Sequence, residues 1–125
     1  MPIPAIPIED EDFLYRRLSI KGHLNPDQSV NSNAYKKDGR PDAEVSVDLS
    51  TLSTIRESLD RAPDTTEFTI GIIQAKSVRA LGLEVVHQPT EANPAHSVIL
   101  GNKSKANCRD LAKATRLANP DELKS

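Results

Sequence analysis

Hydrophobic and polar residues alternate along Val45-Ser-Val-Asp-Leu49, with an apolar side chain at every second position. A period of two is typical of a strand that buries one face. Phe68-Thr-Ile-Gly-Ile-Ile73 predicts a second strand, because the segment is dominated by aromatic and β-branched residues. The stretch from Leu83 to Gly101 predicts a β-hairpin, in which two apolar runs are joined by a connection from Pro89 to Pro94. These segments together supply about four strands.

Two short helices are predicted between the strands. Thr54-Ile-Arg-Glu57 has the spacing of a capping box, and Pro63 ends the segment that it opens. The residues from Ala75 to Leu81 favour one or two helical turns, because Gly82 follows them as a typical C-terminal stop.

A longer helix is predicted from Lys105 to about Ala118, with Ser104 as its N-cap and Pro120 just beyond its end. Apolar positions recur along it at i, i+3, i+4 and i+7, which indicates a single stripe facing the core. The residues of this stripe are Cys108, Leu111, Ala112 and Thr115.

The order of elements predicts an α+β fold. We expect a mainly antiparallel sheet of about four strands with two or three helices packed on one face. The predicted single domain covers residues 13–119, preceded by an extended, proline-rich and acidic arm at residues 1–12 and followed by a tail at residues 120–125.

The first third of the chain has a weaker pattern. The segment from Phe13 to Ile20 is dense in rings and aliphatic side chains, and we interpret it as a short helical or turn segment. Asn, Asp, Ser, Gly and Pro then dominate from Lys21 to Pro41, which predicts a loop of about twenty residues. Loops of that length in compact domains are usually functional or disordered.

Composition limits the setting in which the protein works. The 125 residues carry a net charge of −2, which disfavours bulk electrostatic binding to nucleic acid, although a local basic face is compatible with it. The lone Cys108 excludes an internal disulfide, so a reducing cytoplasm is expected. The apolar stretch from Met1 to Ile8 contains three prolines and lacks a basic leader, so we predict neither a signal peptide nor a membrane span.

The hairpin contains the first candidate chemistry. Its symmetric register sets His87 opposite His96, and His23 in the long loop is a conceivable third member. Facing imidazoles could share a metal, act as an acid and base pair, or bind a phosphate oxygen. The alternative is a structural pair satisfied by water or backbone. A catalytic zinc usually has three protein ligands and only two are paired here, so neither a metal site nor a cofactor is predicted.

The turn Gly101-Asn-Lys-Ser-Lys105 is the second candidate, since free amides at a helix N-terminus favour an anion. It lacks the first glycine and the G-K-[ST] ending of a phosphate-binding P-loop, so nucleotide hydrolysis is disfavoured. The alternative is an ordinary serine cap beside solvated lysines.

The third candidate is a basic stripe on the last helix. Lys105, Arg109, Lys113 and Arg116 project within about 80° of one another on a helical wheel, away from the core stripe. Such a stripe could bind RNA, DNA or an acidic protein surface, or be merely solvated. The candidate residues for binding an anion or a partner are Lys103, Ser104, Lys105, Arg109, Lys113 and Arg116.

These features favour a small soluble binding or accessory module that contacts an anionic or protein partner through its basic C-terminal helix. A protein partner is favoured over nucleic acid, because no aromatic residue interleaves with the stripe. One alternative is a small hydrolase or transferase using the histidine pair, and another is an inhibitor or antitoxin-like protein using the acidic run from Glu9 to Asp12. Whether the protein is an enzyme stays open at this point.

Several segments carry a resemblance to other proteins: Phe13-Leu-Tyr-Arg-Arg-Leu18, Asn33-Ala-Tyr-Lys36, Val45-Ser-Val-Asp48, Val78-Arg-Ala-Leu-Gly-Leu-Glu-Val-Val86, Asn93-Pro-Ala-His96 and Gly101-Asn-Lys-Ser104. With these segments the chain resembles small uncharacterised single-domain bacterial proteins. The resemblance implies bacterial origin, and it transfers no activity, cofactor or site residue.

Overall fold

The computed structural model describes residues 3–125. These residues form the following strands: β1 (Phe13–Ser19), β2 (Lys36–Lys37), β3 (Arg40–Pro41), β4 (Glu44–Leu49), β5 (Phe68–Gln74), β6 (Glu84–His87), β7 (His96–Leu100) and β8 (Arg116–Leu117). Six of them make one antiparallel sheet in the order β6-β7-β4-β1-β5-β8, and β2 and β3 form a separate hairpin. The α+β class with a mainly antiparallel sheet is confirmed, with six strands rather than about four.

The helices are short. They are α1 (Ile20–His23), α2 (Ile55–Asp60), α3 (Ala75–Ala80) and α4 (Lys105–Ala114), together with 3-10 helices at Ser32–Tyr35 and Glu122–Lys124. Thr54 caps α2 through a capping box, as the sequence predicts. Ser104 is confirmed as the N-cap of α4, and it also forms a capping box, with Asn107. Gly82 follows α3 with a φ of 77°, a left-handed conformation that favours glycine at this position.

The first strand corrects the prediction of a helical or turn segment at its position. β1 lies inside the sheet and pairs with both β4 and β5. Its buried residues Leu14 and Leu18 are four apart, a spacing that also fits a helix. Arg16 lies between them on the same face and donates to the carbonyl oxygens of Ala34 and Ser46, so a polar residue interrupts the alternation.

The last helix ends earlier than expected, at Ala114 instead of about Ala118. Thr115 is extended, and β8 then pairs with β5 as the sixth strand. Gly71 of β5 permits this close approach, because a Cβ there would lie 2.6 Å from Cγ2 of Thr115 and 2.8 Å from Cδ1 of Leu18.

The sheet has two differently covered faces. The first face carries the main core, formed by alternate strand residues with α3, α4 and the 3-10 helix at Ser32–Tyr35. The second face carries a smaller cluster, in which Leu59 of α2 packs with Ile70, Ile72 and Ala118. Helices therefore lie on both faces, not on one as the sequence suggests, because the second face of β5 is also apolar.

The two irregular segments are folded against this body. The region from Lys21 to Pro41 is no open loop: it contains α1, a 3-10 helix and the β2-β3 hairpin, and Tyr35 within it is fully buried. In the N-terminal arm Ile8 is buried, and Arg79 binds the carboxylate of Asp10. The part of the predicted arm at residues 1–2 lies outside the described residues.

Candidate functional site

The two hairpin histidines do not face each other. His87 pairs with Ser97 and Val85 pairs with Ile99, one residue away from the predicted register. The prediction that His87 lies opposite His96 is therefore wrong, and the two side chains lie on opposite faces of the sheet. The physical reason is the core: this register buries Ile99 completely on the first face, beside Val45 of β4.

Each ring nitrogen of His87 has a partner. Nδ1 accepts a hydrogen bond from the Ile6 amide at 3.0 Å, and Nε2 lies 2.7 Å from the Pro94 carbonyl oxygen. Because a carbonyl only accepts, Nε2 carries the proton and the ring is neutral in this arrangement. The buried His87 ring thus ties the N-terminal arm to the β6-β7 connection and has no nitrogen left for a substrate.

The other two histidines have separate surroundings. His96 Nδ1 lies 2.9 Å from the Gln88 carbonyl oxygen, and its Nε2 lies 3.3 Å from Ser46 Oγ. His23 Nδ1 accepts from the Ser19 amide at 3.0 Å, and burial lowers the pKa of its ring, with a smaller effect from the nearby Arg16 charge. No hydrogen-bond partner is common to any two of the three rings within residues 3–125. Across the same residues, no group of three or more His, Cys, Asp or Glu side chains is arranged to hold a metal ion.

Lys103 is buried, unlike a free surface cation. Its Nζ donates to the carbonyl oxygens of Ala43, Ile99 and Gly101 at 3.2, 3.0 and 3.4 Å, and burial lowers the pKa of the ammonium group. Its three N–H groups are thereby occupied. Ser104 is similarly engaged, since its hydroxyl accepts from the Asn107 amide at 3.0 Å.

Arg116 lies in β8 and not on the helix. Its guanidinium forms two parallel hydrogen bonds to Glu122, at 2.8 Å from Nη1 and 2.9 Å from Nη2. This contact, with a further bond from the Asn119 amide, lowers the pKa of Glu122 from its ordinary 4.5 to about 2. The exposed cations that remain on α4 are Lys105, Arg109 and Lys113.

Arg109 and Lys113 border an open cleft of about 560 Å³. The cleft separates α4 from the segment at residues 25–32, and its lining consists of Asn25, Ser29, Val30, Asn31, Ser32, Arg109, Ala112 and Lys113. Within the described part of the chain, neither cation is hydrogen-bonded or ion-paired to another side chain. Part of the basic stripe and part of the segment predicted as a long loop thus meet at one site.

The wall opposite α4 is ordered by its own hydrogen bonds. Asn25 Nδ2 donates to Ser29 Oγ at 2.9 Å, and Ser29 Oγ donates to Asp27 Oδ1 at 2.6 Å. A bridge between Leu24 and Val30 closes the turn at its base. Amides and hydroxyls on this wall and cations on the other are the groups that bind anionic or hydrogen-bonding ligands.

A buried ion cluster on the second face was not predicted from the sequence. Asp48, which has no exposed surface, accepts from Arg17 at 2.7 Å, Arg61 at 3.0 Å, Ser58 at 2.5 Å and Asn93 at 2.8 Å. Burial alone raises the pKa of this carboxyl, but the bonds from Ser58 and Asn93 and then the two arginine charges outweigh it and lower the pKa. These five residues, named here the Asp48 cluster, come from separate parts of the chain, so no local motif announces them.

No family model matches the chain. Neither the curated proteins nor the solved structures contain a match to it. Bacterial origin stays a prediction. Over residues 3–125, no helix has both the length and the apolar character needed to cross a membrane.

Proposed function

We propose that this protein is a binding module that takes an acidic segment of a protein partner into the cleft between α4 and residues 25–32. The observation that carries the proposal is that the basic helix and the polar turn form the two walls of one cleft. Arg109 and Lys113 are four residues apart, so their side chains emerge from neighbouring turns of the same helix face.

Size and charge support an acidic peptide as the ligand. A cleft of about 560 Å³ is large enough for a few side chains. Arg109 and Lys113, which have no side-chain partner among the residues that the structure describes, attract carboxylates, although the whole chain carries a net charge of −2. On the facing wall, Asn25 uses one N–H of its side-chain amide on Ser29, and the rest of this amide group can bond a peptide backbone.

Protein is favoured over nucleic acid as the partner. Among residues 3–125, Arg109 and Lys113 are the cations that line the cleft, and no aromatic side chain lines it to stack a base. The other members of the predicted basic set are less available, because Lys103 and Arg116 are engaged within the fold.

The hydrolase or transferase alternative loses its geometric basis, because His87 and His96 lie on opposite faces of the sheet. The inhibitor or antitoxin-like alternative stays a prediction. Asp10 of its acidic run is paired with Arg79 in the folded chain.

The test is fluorescence anisotropy with a labelled peptide rich in Asp and Glu. We expect saturable binding that weakens as salt concentration rises, since the contact is between exposed charges. The double change Arg109→Ala and Lys113→Ala should weaken it about tenfold while shifting the melting temperature by no more than a few degrees.

The matched control is Lys76→Ala with Lys124→Ala, which removes the same charge from exposed positions outside the cleft. It should bind like the wild type. Equal losses in both double variants would reduce the effect to net charge and overturn the cleft as the site. If a single-stranded RNA binds more tightly than the peptide, the proposed protein partner is wrong and nucleic acid is the favoured ligand.

A further inference from the structure

Two guanidinium groups share one carboxylate oxygen in the Asp48 cluster. Nη1 of Arg17 lies 2.7 Å from Asp48 Oδ2, and Nη1 of Arg61 lies 3.0 Å from the same atom. Arg17 comes from β1 on the second face of the sheet, whereas Arg61 directly follows α2. The two side chains, named here the arginine pair, are therefore held next to each other.

The two carboxylate oxygens of Asp48 together accept four hydrogen bonds, which is about the number that a carboxylate can accept. Its Oδ2 also accepts from Ser58 Oγ, and its Oδ1 accepts from Asn93 Nδ2. Because the carboxylate is saturated and inaccessible to solvent, it fixes the arginines in place without blocking their outer edges. Within the Asp48 cluster itself, two guanidinium charges lie beside one carboxylate charge.

The arginine pair retains unused donors. Every hydrogen bond that either side chain makes within residues 3–125 uses Nη1, with Ser58 or Ser53 as the further acceptor. The Nε and Nη2 groups of both residues have no protein acceptor there. Among the described side chains, every fully buried nitrogen and oxygen atom has a hydrogen-bond partner. The unpartnered Nε and Nη2 atoms are therefore not fully buried. With 22% and 27% of the side chains exposed, these donors reach solvent.

We propose that the arginine pair is a binding site for a phosphate group, on the face of the sheet opposite the cleft. A phosphate offers several oxygens to two guanidinium forks, and a carboxylate has fewer to offer. The arginines are already fixed by Asp48, so binding costs little side-chain entropy. Glu57, on the helix that precedes Arg61, accepts from the Thr54 amide through Oε1. Hydrogen bonds from Thr54 and, to a smaller extent, the charge of Arg61 lower the pKa of the Glu57 carboxyl, so this carboxylate competes with phosphate for Arg61. The proposal does not depend on the function of the cleft.

The test is a titration of the wild-type protein with inorganic phosphate, followed by NMR of the arginine side-chain N–H groups at constant ionic strength. We expect saturable shifts for Arg17 and Arg61. Arg56 is the internal reference, because it is an exposed arginine of α2 whose side chain pairs within residues 3–125 with Asp60 alone. Its signal should move little and without saturation.

Variants separate the arginine pair from general surface charge. Arg61→Lys keeps the charge but loses the fork, and we expect about tenfold weaker phosphate binding, as for loss of one charge-assisted hydrogen bond. Arg56→Lys should leave binding unchanged. The cleft variant, Arg109→Ala with Lys113→Ala, should also retain it, which distinguishes failure of this site from failure of the proposed function.

Three results would overturn the proposal. The first is the same non-saturating response at Arg17, Arg61 and Arg56. The second is an equal response to acetate at matched ionic strength, which would remove the preference for phosphate. The third is unchanged phosphate binding by Arg61→Lys. If Arg61→Lys fails to fold, the wild-type titration still decides the question.

Discussion

The two faces of the sheet are stabilised by different kinds of interaction. The first face is a continuous aliphatic core, in which Leu111 of α4 packs with fully buried residues such as Val47 and Ile99. The second face has a small apolar cluster beside β5 and a buried charge, Asp48, on β4. Apolar burial is nondirectional and tolerates many arrangements, whereas a buried charge needs specific partners. We therefore expect the second face to depend far more on single residues.

Asp48→Ala should have the largest effect. It would leave Arg17 and Arg61 without their shared acceptor and remove the acceptor of Ser58 and Asn93. Breaking a buried charge network in this way costs about 3–5 kcal/mol in free energy of unfolding. Urea denaturation of the variant and the wild type measures the difference.

Two comparison variants sharpen this result. Leu111→Ala removes a fully buried side chain from the first face and should cost about 3 kcal/mol through loss of contacts and a cavity. Asp60→Ala removes an exposed ion pair with Arg56 and should cost less than about 1 kcal/mol. A loss for Asp48→Ala no larger than that for Asp60→Ala would contradict the difference between the faces.

The sequence predicts the first face well because its signal is local. Alternation in β4 and the stripe on α4 each identify buried residues within a short window, and Ser104 and Thr54 are confirmed as caps. The local pattern does not identify β1 as a strand. Arg16 occupies an inward position by donating to the backbone of two distant segments, which a local pattern does not reveal.

The candidate site is also only partly predictable from the sequence, because local patterns do not reveal contacts between distant segments. The exposure of Arg109 and Lys113 follows from helical periodicity. The engagement of Lys103 with three carbonyl oxygens depends on the ends of β4 and β7, and the register that separates His87 from His96 depends on the pairing of β7 with β4. Such long-range packing lies outside any local motif.

Lys103→Met tests whether a buried charge away from the Asp48 cluster is also important for stability. The change keeps most of the side-chain volume but leaves the carbonyl oxygens of Ala43, Ile99 and Gly101 without the ammonium donor. We expect a loss of about 2 kcal/mol in urea denaturation, an intermediate effect because lost hydrogen bonds to a charged group cost less than an unpaired buried charge. Lys105→Met at an exposed position should stay within about 0.5 kcal/mol. Equal stability of the two variants would show that the Lys103 contacts contribute nothing measurable.

Glu122 is half-buried, provides a comparison with the fully buried Asp48, and has the smallest expected effect. Its pKa of about 2 lies below the ordinary 4.5 of an unfolded chain, chiefly because Arg116 donates to it. Its stabilising contribution is therefore fully present above about pH 4.5 and is lost as the pH falls toward 2. Arg116→Gln should return the Glu122 midpoint toward its ordinary value in a carboxyl NMR titration, with little change in global stability because the Arg116 side chain is exposed to water. If Glu122 titrates normally in the wild type, the contact between β8 and the C-terminal 3-10 helix does not persist in solution. The comparison between a buried and an exposed carboxylate would then depend on the Asp48→Ala and Asp60→Ala variants alone.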